Sequence, residues 1–350
     1  MFIGLTMGKL IALLIVGFVG GLLSGFIGSG GAFVLTPSMM SLGAPGAVAV
    51  ASNMAHKFPK AMVGTYKRFR YGQVDVRLGL VMAVSSILGV QLGIKVQKMI
   101  LNTWGSVGSD LYVSFVFVVI LVVVGGFVLK DAITGGSGAE GDEKERKLAK
   151  AMQKIKIPPM IHFKKADVRL SMWVTVPIGF ATGLLAATIA VGGFIGVPGM
   201  IYLVGASAIV ASATELLVAF VMGFWGSIQW ALSGLVDIRL TLLILAASLF
   251  GVQLGAIGTT YVKDHTIKLV MAAVMLIVAV SRGVLIPVYL DELGVMAISP
   301  GLAGVLDSIS FWALITALAT AGVIISSAMI KGIIQSRVEE REAAAAAGGV

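Results

Sequence analysis

Residues 10–55 read LIALLIVGFVGGLLSGFIGSGGAFVLTPSMMSLGAPGAVAVASNMA, and residues 170–214 read LSMWVTVPIGFATGLLAATIAVGGFIGVPGMIYLVGASAIVASAT. Neither stretch carries a formal charge. About 20 apolar residues cross the hydrocarbon core of a bilayer as a helix, so each stretch is too long for one crossing. Each is interrupted by a Gly-Gly pair and then a proline: GSGGAFVLTP at 28–37 and VGGFIGVP at 191–198. Glycine weakens a helix, and proline removes a backbone donor. The pattern predicts a re-entrant hairpin of two half-helices in each stretch, followed by a full span. The breaks are expected at Gly30-Gly31 with Pro37, and at Gly192-Gly193 with Pro198. Irregular backbone at membrane depth survives only where protein buries it or where it lines a wet cavity.

The rest of the chain agrees with a membrane setting. Of 350 residues, 58% are hydrophobic and 12% charged, with a mean hydropathy of +1.00. A soluble protein carries about 25% charged residues. Residues 111–129, 240–262 and 308–330 also lack charge, and each is near the length of one crossing. The class is an all-α polytopic membrane protein, which excludes a soluble globule, a disordered chain and a nucleic-acid-binding domain. There is no cysteine, hence no disulfide, thiolate metal site or Cys nucleophile. The three histidines, His56, His162 and His265, lack metal-ligand spacing, so no metal and no cofactor are expected. The net charge of +9 sits mostly in short loops, where Lys and Arg set orientation beside lipid headgroups. The N-terminal apolar run lacks an A-x-A cleavage site and is expected to belong to the fold.

An internal repeat organises the sequence. GVQLG at 89–93 recurs at 251–255, an offset of 251 − 89 = 162. VDVRL at 74–78 recurs as VDIRL at 236–240, Gly17-Phe18 as Gly179-Phe180 and Gly30-Gly31 as Gly192-Gly193, all at the same offset. Pro37 matches Pro198 one residue short of it, which places a deletion just after the glycine pair. The expected organisation is transmembrane repeat 1 over 1–130, a cytoplasmic basic linker over 131–170, repeat 2 over 171–290, and an extra span with a cytoplasmic tail over 291–350.

Loop charge predicts the orientation of the repeats. Loop 66–77 holds Lys67, Arg68, Arg70 and Arg77 against Asp75, whereas its counterpart 226–239 holds only Arg239 against Asp237. Positive charge stays inside, which puts these related loops on opposite faces. Lys95 and Lys98, near an outer end, fit this rule less well. The two repeats are then inverted, each a hairpin plus about three spans.

Charged groups inside apolar spans are functional candidates by default. AVAVASNMAHKFPKAMVG places Asn53, His56, Lys57 and Lys60 at helical spacing on one face, with Pro59 expected to kink or open the helix. A lysine supplies charge, and Asn and His supply donors, so the cluster reads as an anion site. The alternative is that Lys57 and Lys60 snorkel to the inner surface. At the offset of 162, Glu215 aligns with Asn53, beside Thr214. Glu215 or His56 can couple protons, or Glu215 can form an ion pair with Lys57. Arg282, ending a span, reads as an interfacial anchor. Ser29 with His56 is too weak a pattern for a serine hydrolase, and no enzyme activity is expected.

With these residues in view, the chain resembles the TauE/SafE family of sulfite exporters. The resemblance rests on GFVGGLLSGFIGSGGAFVLTP, the Ala-rich AVAVASNMA, the aromatic-basic loop, VDVRL and GVQLG, in that order and again in the second half. Ser52-Asn53 stands where the family has Thr-Ser. The resemblance implies a multi-pass protein of a bacterial or archaeal plasma membrane that moves small sulfur-containing anions, such as sulfite or organosulfonates, often outward. The expected site is Gly30, Gly31, Asn53, His56, Lys57, Gly192, Gly193 and Thr214, working by alternating access with a coupling proton or sodium ion. An anion channel or uptake permease of the same fold, and a structural membrane protein, are the alternatives.

Overall fold

The computed structural model describes residues 4–28, 31–135, 148–262 and 264–347. Helix α1 (Met7–Ile27) starts at Thr6, whose hydroxyl accepts from Lys9 N at 3.4 Å. It stops at Gly28, where φ is 107° and the N–H returns to Ser24 O. That backbone conformation favours glycine. Helix α2 (Ala32–Ser41) runs on from the break, and α3 (Gly46–Arg70) follows. Helix α4 (Val76–Gly135) is divided at Gly105, which is non-helical with φ 68°. The second half repeats the order: α5 (Met172–Ile189), α6 (Gly193–Gly199), a π-helical turn (Met200–Val204), α7 (Ala208–Leu232), α8 (Ile238–Gly258) and α9 (Asp264–Gly283). Short α10 (Ile286–Glu292) and long α11 (Pro300–Ala347) close the chain.

Among the described residues, seven helices are long and apolar enough to cross a membrane. Helix α3 is not one of them, because His56, Lys57, Lys60, Lys67, Arg68 and Arg70 lower its hydropathy, yet its 25 residues match a span in length. The chain is an integral, multi-pass membrane protein. Large apolar side chains such as Leu80, Val84 and Leu88 on α4 and Val323 on α11 face outward, as lipid contact requires.

Two expectations are corrected. Helix α1 has 21 residues and is long enough to span alone, so the first hairpin has one full-length arm and one short one. The prolines are not the breaks. Pro37, Pro59 and Pro198 all lie within helices α2, α3 and α6. A proline deletes one hydrogen bond but keeps a helical φ. The breaks fall where α1 and α5 end, at positive-φ residues: Gly28 at φ 107° in the first half and Ala190 at φ 62° in the second. The linker adds an element that its composition did not suggest. Part of it is ordered β structure, β1 (Met160–Phe163) and β2 (Val168–Ser171), antiparallel with Met160 opposite Ser171. The strands bury Phe163 and Leu170 completely.

The packing explains the glycines. Helix α1 lies on α8, and α5 lies on α4. A Cβ on Gly251 would overlap the carbonyl oxygen of Phe18, and one on Gly89 would overlap that of Phe180. These are the same contact with the halves exchanged, since 251 − 89 and 180 − 18 both equal 162. The exchange recurs in polar contacts. Asp75 N donates to Thr214 Oγ1 at 3.0 Å, and Asp237 N donates to Ser52 Oγ at 2.9 Å. At the breaks the register shifts by one. Gly31 lies against Gly20 O, and Gly192 lies against Thr182 O. The missing residue therefore falls before these glycines, not after the pair.

Candidate functional site

The site is built on one face of α3. Asn53, His56, Lys57 and Lys60 are each 0% exposed, so neither lysine snorkels to the surface. Asn53 Nδ2 donates to Ala32 O at 2.9 Å and to Thr36 Oγ1 at 2.8 Å. This ties α3 to the short arm of the first hairpin. His56 Nδ1 lies 3.1 Å from Asn53 Oδ1 and 3.2 Å from Asn53 O. Lys57 Nζ donates to Ala190 O at 2.9 Å, so the next side chain grips the break of the second hairpin. Ala190 is one of two non-glycine residues with positive φ among the described residues. Such strain costs about 1–3 kcal/mol and persists only where the surroundings hold it. Here it aims a carbonyl at a buried ammonium.

Glu215 on α7 occupies the place that corresponds to Asn53. Its carboxylate rests against Gly196 of α6, where a Cβ would collide with it, and it acts electrostatically on Lys57. Each half thus sends a polar side chain from its third helix onto its own short arm. Phe33 and Phe194 sit at equivalent points of the two short arms, and their rings meet at 4.4 Å with a 52° tilt.

The other expected site residues divide. Gly31 caps α2, Gly192 caps α6 and Gly193 begins it, and the first two pack closely on helix carbonyls. Gly30 and Ser29 lie outside the described residues. Thr214 is buried, but its hydroxyl is engaged by Asp75 N, which gives it a role in joining the halves.

Sequence reasoning missed two arginines. Arg68, counted as a loop charge, is fully buried and donates to Gly25 O at 2.9 Å, Ile209 O at 2.7 Å and Ser212 Oγ at 2.7 Å. Arg282 is also fully buried, not interfacial. It donates to Ser41 Oγ and Ser310 Oγ, both at 2.9 Å, because α11 covers the end of its helix. A cavity of about 460 Å³ opens beside Arg282, Tyr289 and Asp307. Another of about 560 Å³ is lined by Lys95, Lys98, Asn102 and Gln229. Neither includes the α3 cluster. No group of His, Asp and Glu suited to a metal ion occurs among the described residues.

A buried cluster of two lysines, a histidine, an asparagine and a glutamate thus lies between two broken hairpins. The model of the family described as "Sulfite exporter TauE/SafE" matches residues 13–282. The chain is 23% identical over 276 residues to the probable membrane transporter protein YunE of Bacillus subtilis, covering 77% of this chain and 95% of that protein. It is 24% identical over 266 residues to the probable membrane transporter protein YdhB of the same organism, covering 73% and 93%. No solved structure matches it significantly. The chain belongs to the TauE/SafE sulfite exporter family, a family of membrane transporters.

Proposed function

We propose that the protein is a secondary active transporter of small sulfur-containing oxyanions, sulfite or short organosulfonates, moved outward by alternating access. The observation that carries this reading is the α3 cluster. Asn53 and Lys57, one helical turn apart, reach opposite hairpins at Ala32 O and Ala190 O while both stay fully buried. Rocking one hairpin against the other would make or break these contacts. Rocking that frees Asn53 and Lys57 from these carbonyls would let them donate to a compact oxyanion, and charge-assisted hydrogen bonds are the stronger kind.

We read the repeats as inverted. Asp75, between α3 and α4, accepts from Lys165 N and Ala166 N of the linker at 2.8 and 3.2 Å. The linker's Gln153 donates to Val204 O at the end of the second hairpin. The end of the first hairpin instead meets Asp110 through Gly46 N, at the opposite end of α3 from Asp75. Corresponding hairpin ends on opposite faces are what inversion requires, and duplicated broken helices mark transporter binding sites. Under this reading the linker and C-terminus are cytoplasmic, lipid surrounds the bundle, and Glu215 or His56 carries a coupling proton.

The test is uptake and efflux of labelled sulfite, sulfate and a short sulfonate in proteoliposomes, with and without a pH gradient. Saturable flux of one anion is expected, lost in Lys57→Ala. Absence of flux for every anion under every gradient would overturn the reading.

A further inference from the structure

His56 Nε2 and Lys60 Nζ are buried and have no hydrogen-bond partner among the described residues. They lie one helical turn apart on the same face of α3. Lys57 is accounted for by Ala190 O and Glu215. Lys60 is not. The charge acting most on it is Lys57, a like charge. A buried ammonium without a partner is costly, so an acceptor that reached Lys60 Nζ on this face of α3 would be held strongly.

The hydrogen-bond chain also fixes the histidine tautomer. Asn53 Nδ2 is committed to Ala32 O, an acceptor only, so Asn53 Oδ1 must face His56. The second neighbour of His56 Nδ1 is Asn53 O, also an acceptor. Nδ1 therefore carries the hydrogen. In the neutral ring Nε2 then bears a lone pair, which repels an anion, and it becomes a donor only when a proton is added. The charged groups around the ring are Lys57 and Lys60 on its own helix and Glu215 from α7, beside Lys57. Asp237 reaches α3 one turn earlier, at Ser52, and is paired with Arg239. From α2 come only the Ala32 carbonyl and the Thr36 hydroxyl, through Asn53.

We propose that His56 Nε2 and Lys60 Nζ together seat one oxygen-bearing end of the anion, and that His56 takes up one proton whenever the anion enters. This rests on the anion-transport reading and assigns its coupling to one atom. Proton and anion each create the site for the other, and such linkage is reciprocal. For a permanently ionised sulfonate the proton comes from solution and returns to it on release.

The experiment is isothermal titration of the purified full-length protein with methanesulfonate and with sulfite, in buffers of differing ionisation enthalpy. Methanesulfonate stays ionised, so any proton taken up belongs to the protein. Wild type is expected to take up close to one proton per anion above the titration range of His56. His56→Gln places a permanent amide donor near Nε2, so binding is expected to persist with proton uptake abolished. Lys60→Met is expected to lose at least tenfold in affinity while the anion-free protein melts several degrees higher, because an unpaired buried charge is gone. Lys60→Arg is expected to keep binding. Anion binding without proton uptake in wild type, uptake persisting in His56→Gln, or unchanged affinity in Lys60→Met would each overturn the proposal. Transport by wild type with either of those variant results sinks this inference alone. No binding or transport of any anion by wild type sinks the transport reading and this inference with it.

Discussion

Lys57 and Glu215 should behave as a buried pair whose halves cannot be removed separately. Lys57 is 0% exposed and so is Glu215. Glu215 acts electrostatically on Lys57, and removing one partner of a buried ion pair costs about 3–5 kcal/mol. Glu215→Gln leaves Lys57 its bond to Ala190 O at 2.9 Å, so its cost should fall near the lower value, about 3 kcal/mol. Lys57→Met leaves a carboxylate against Gly196 and a buried carbonyl without its donor, so about 5 kcal/mol is expected. The double variant removes both charges and should cost only about 1–3 kcal/mol for the orphaned Ala190 carbonyl. The singles then exceed the double by several kcal/mol when added. At roughly 2 °C per kcal/mol for a chain of this size, the midpoints should fall by about 6 and 10 °C for the singles. The double should recover most of that loss. Thermal unfolding in detergent, followed by tryptophan fluorescence at one scan rate, reads this cycle. Additive shifts, with the double variant the least stable, would refute the pairing.

Other perturbations follow from single contacts. Gly251→Val should cost at least ~1–3 kcal/mol by overpacking, since its Cβ would enter the carbonyl of Phe18, whereas Gly126→Ala, with open space around it, should be close to neutral. Folded yield and melting midpoint compare the two. Asp75→Ala removes the acceptor for Leu78 N, Lys165 N and Ala166 N. Limited proteolysis within 160–171 should then accelerate while the melting midpoint falls modestly. Phe33→Ala opens the aromatic contact between the short arms and should cost about 3–5 kcal/mol. Its passive leak of small anions, measured in liposomes, should rise above wild type.

The membrane class was legible because lipid demands long uncharged stretches, and residues 10–55 supply one. The contacts of Gly89 and Gly251 carry the offset of 162 found between GVQLG at 89–93 and at 251–255 into three dimensions. The position of the breaks was read one step off. Sequence flags Gly and Pro as equivalent interruptions, but only the positive φ of Gly28 and Ala190 ends the first arms, and an alanine gives no warning of that. The β1–β2 hairpin hid in a basic stretch whose apolar positions, Phe163, Val168 and Leu170, are few. Helical spacing places Asn53, His56, Lys57 and Lys60 on one face of α3, and all four are buried there. Spacing could not say that Thr214 would be taken by Asp75, or that Arg68 would turn inward, since both depend on the partner half.

A carrier would expose one anion site to each side in turn. Solute counterflow tests it most directly. Proteoliposomes loaded with unlabelled sulfite, and separately with unlabelled methanesulfonate, are diluted into a trace of the labelled anion. A transient overshoot of label above equilibrium is expected for a transported anion, absent in Lys57→Ala. Label that enters monotonically, at the same rate into loaded and empty liposomes, would contradict alternating access and point to a channel.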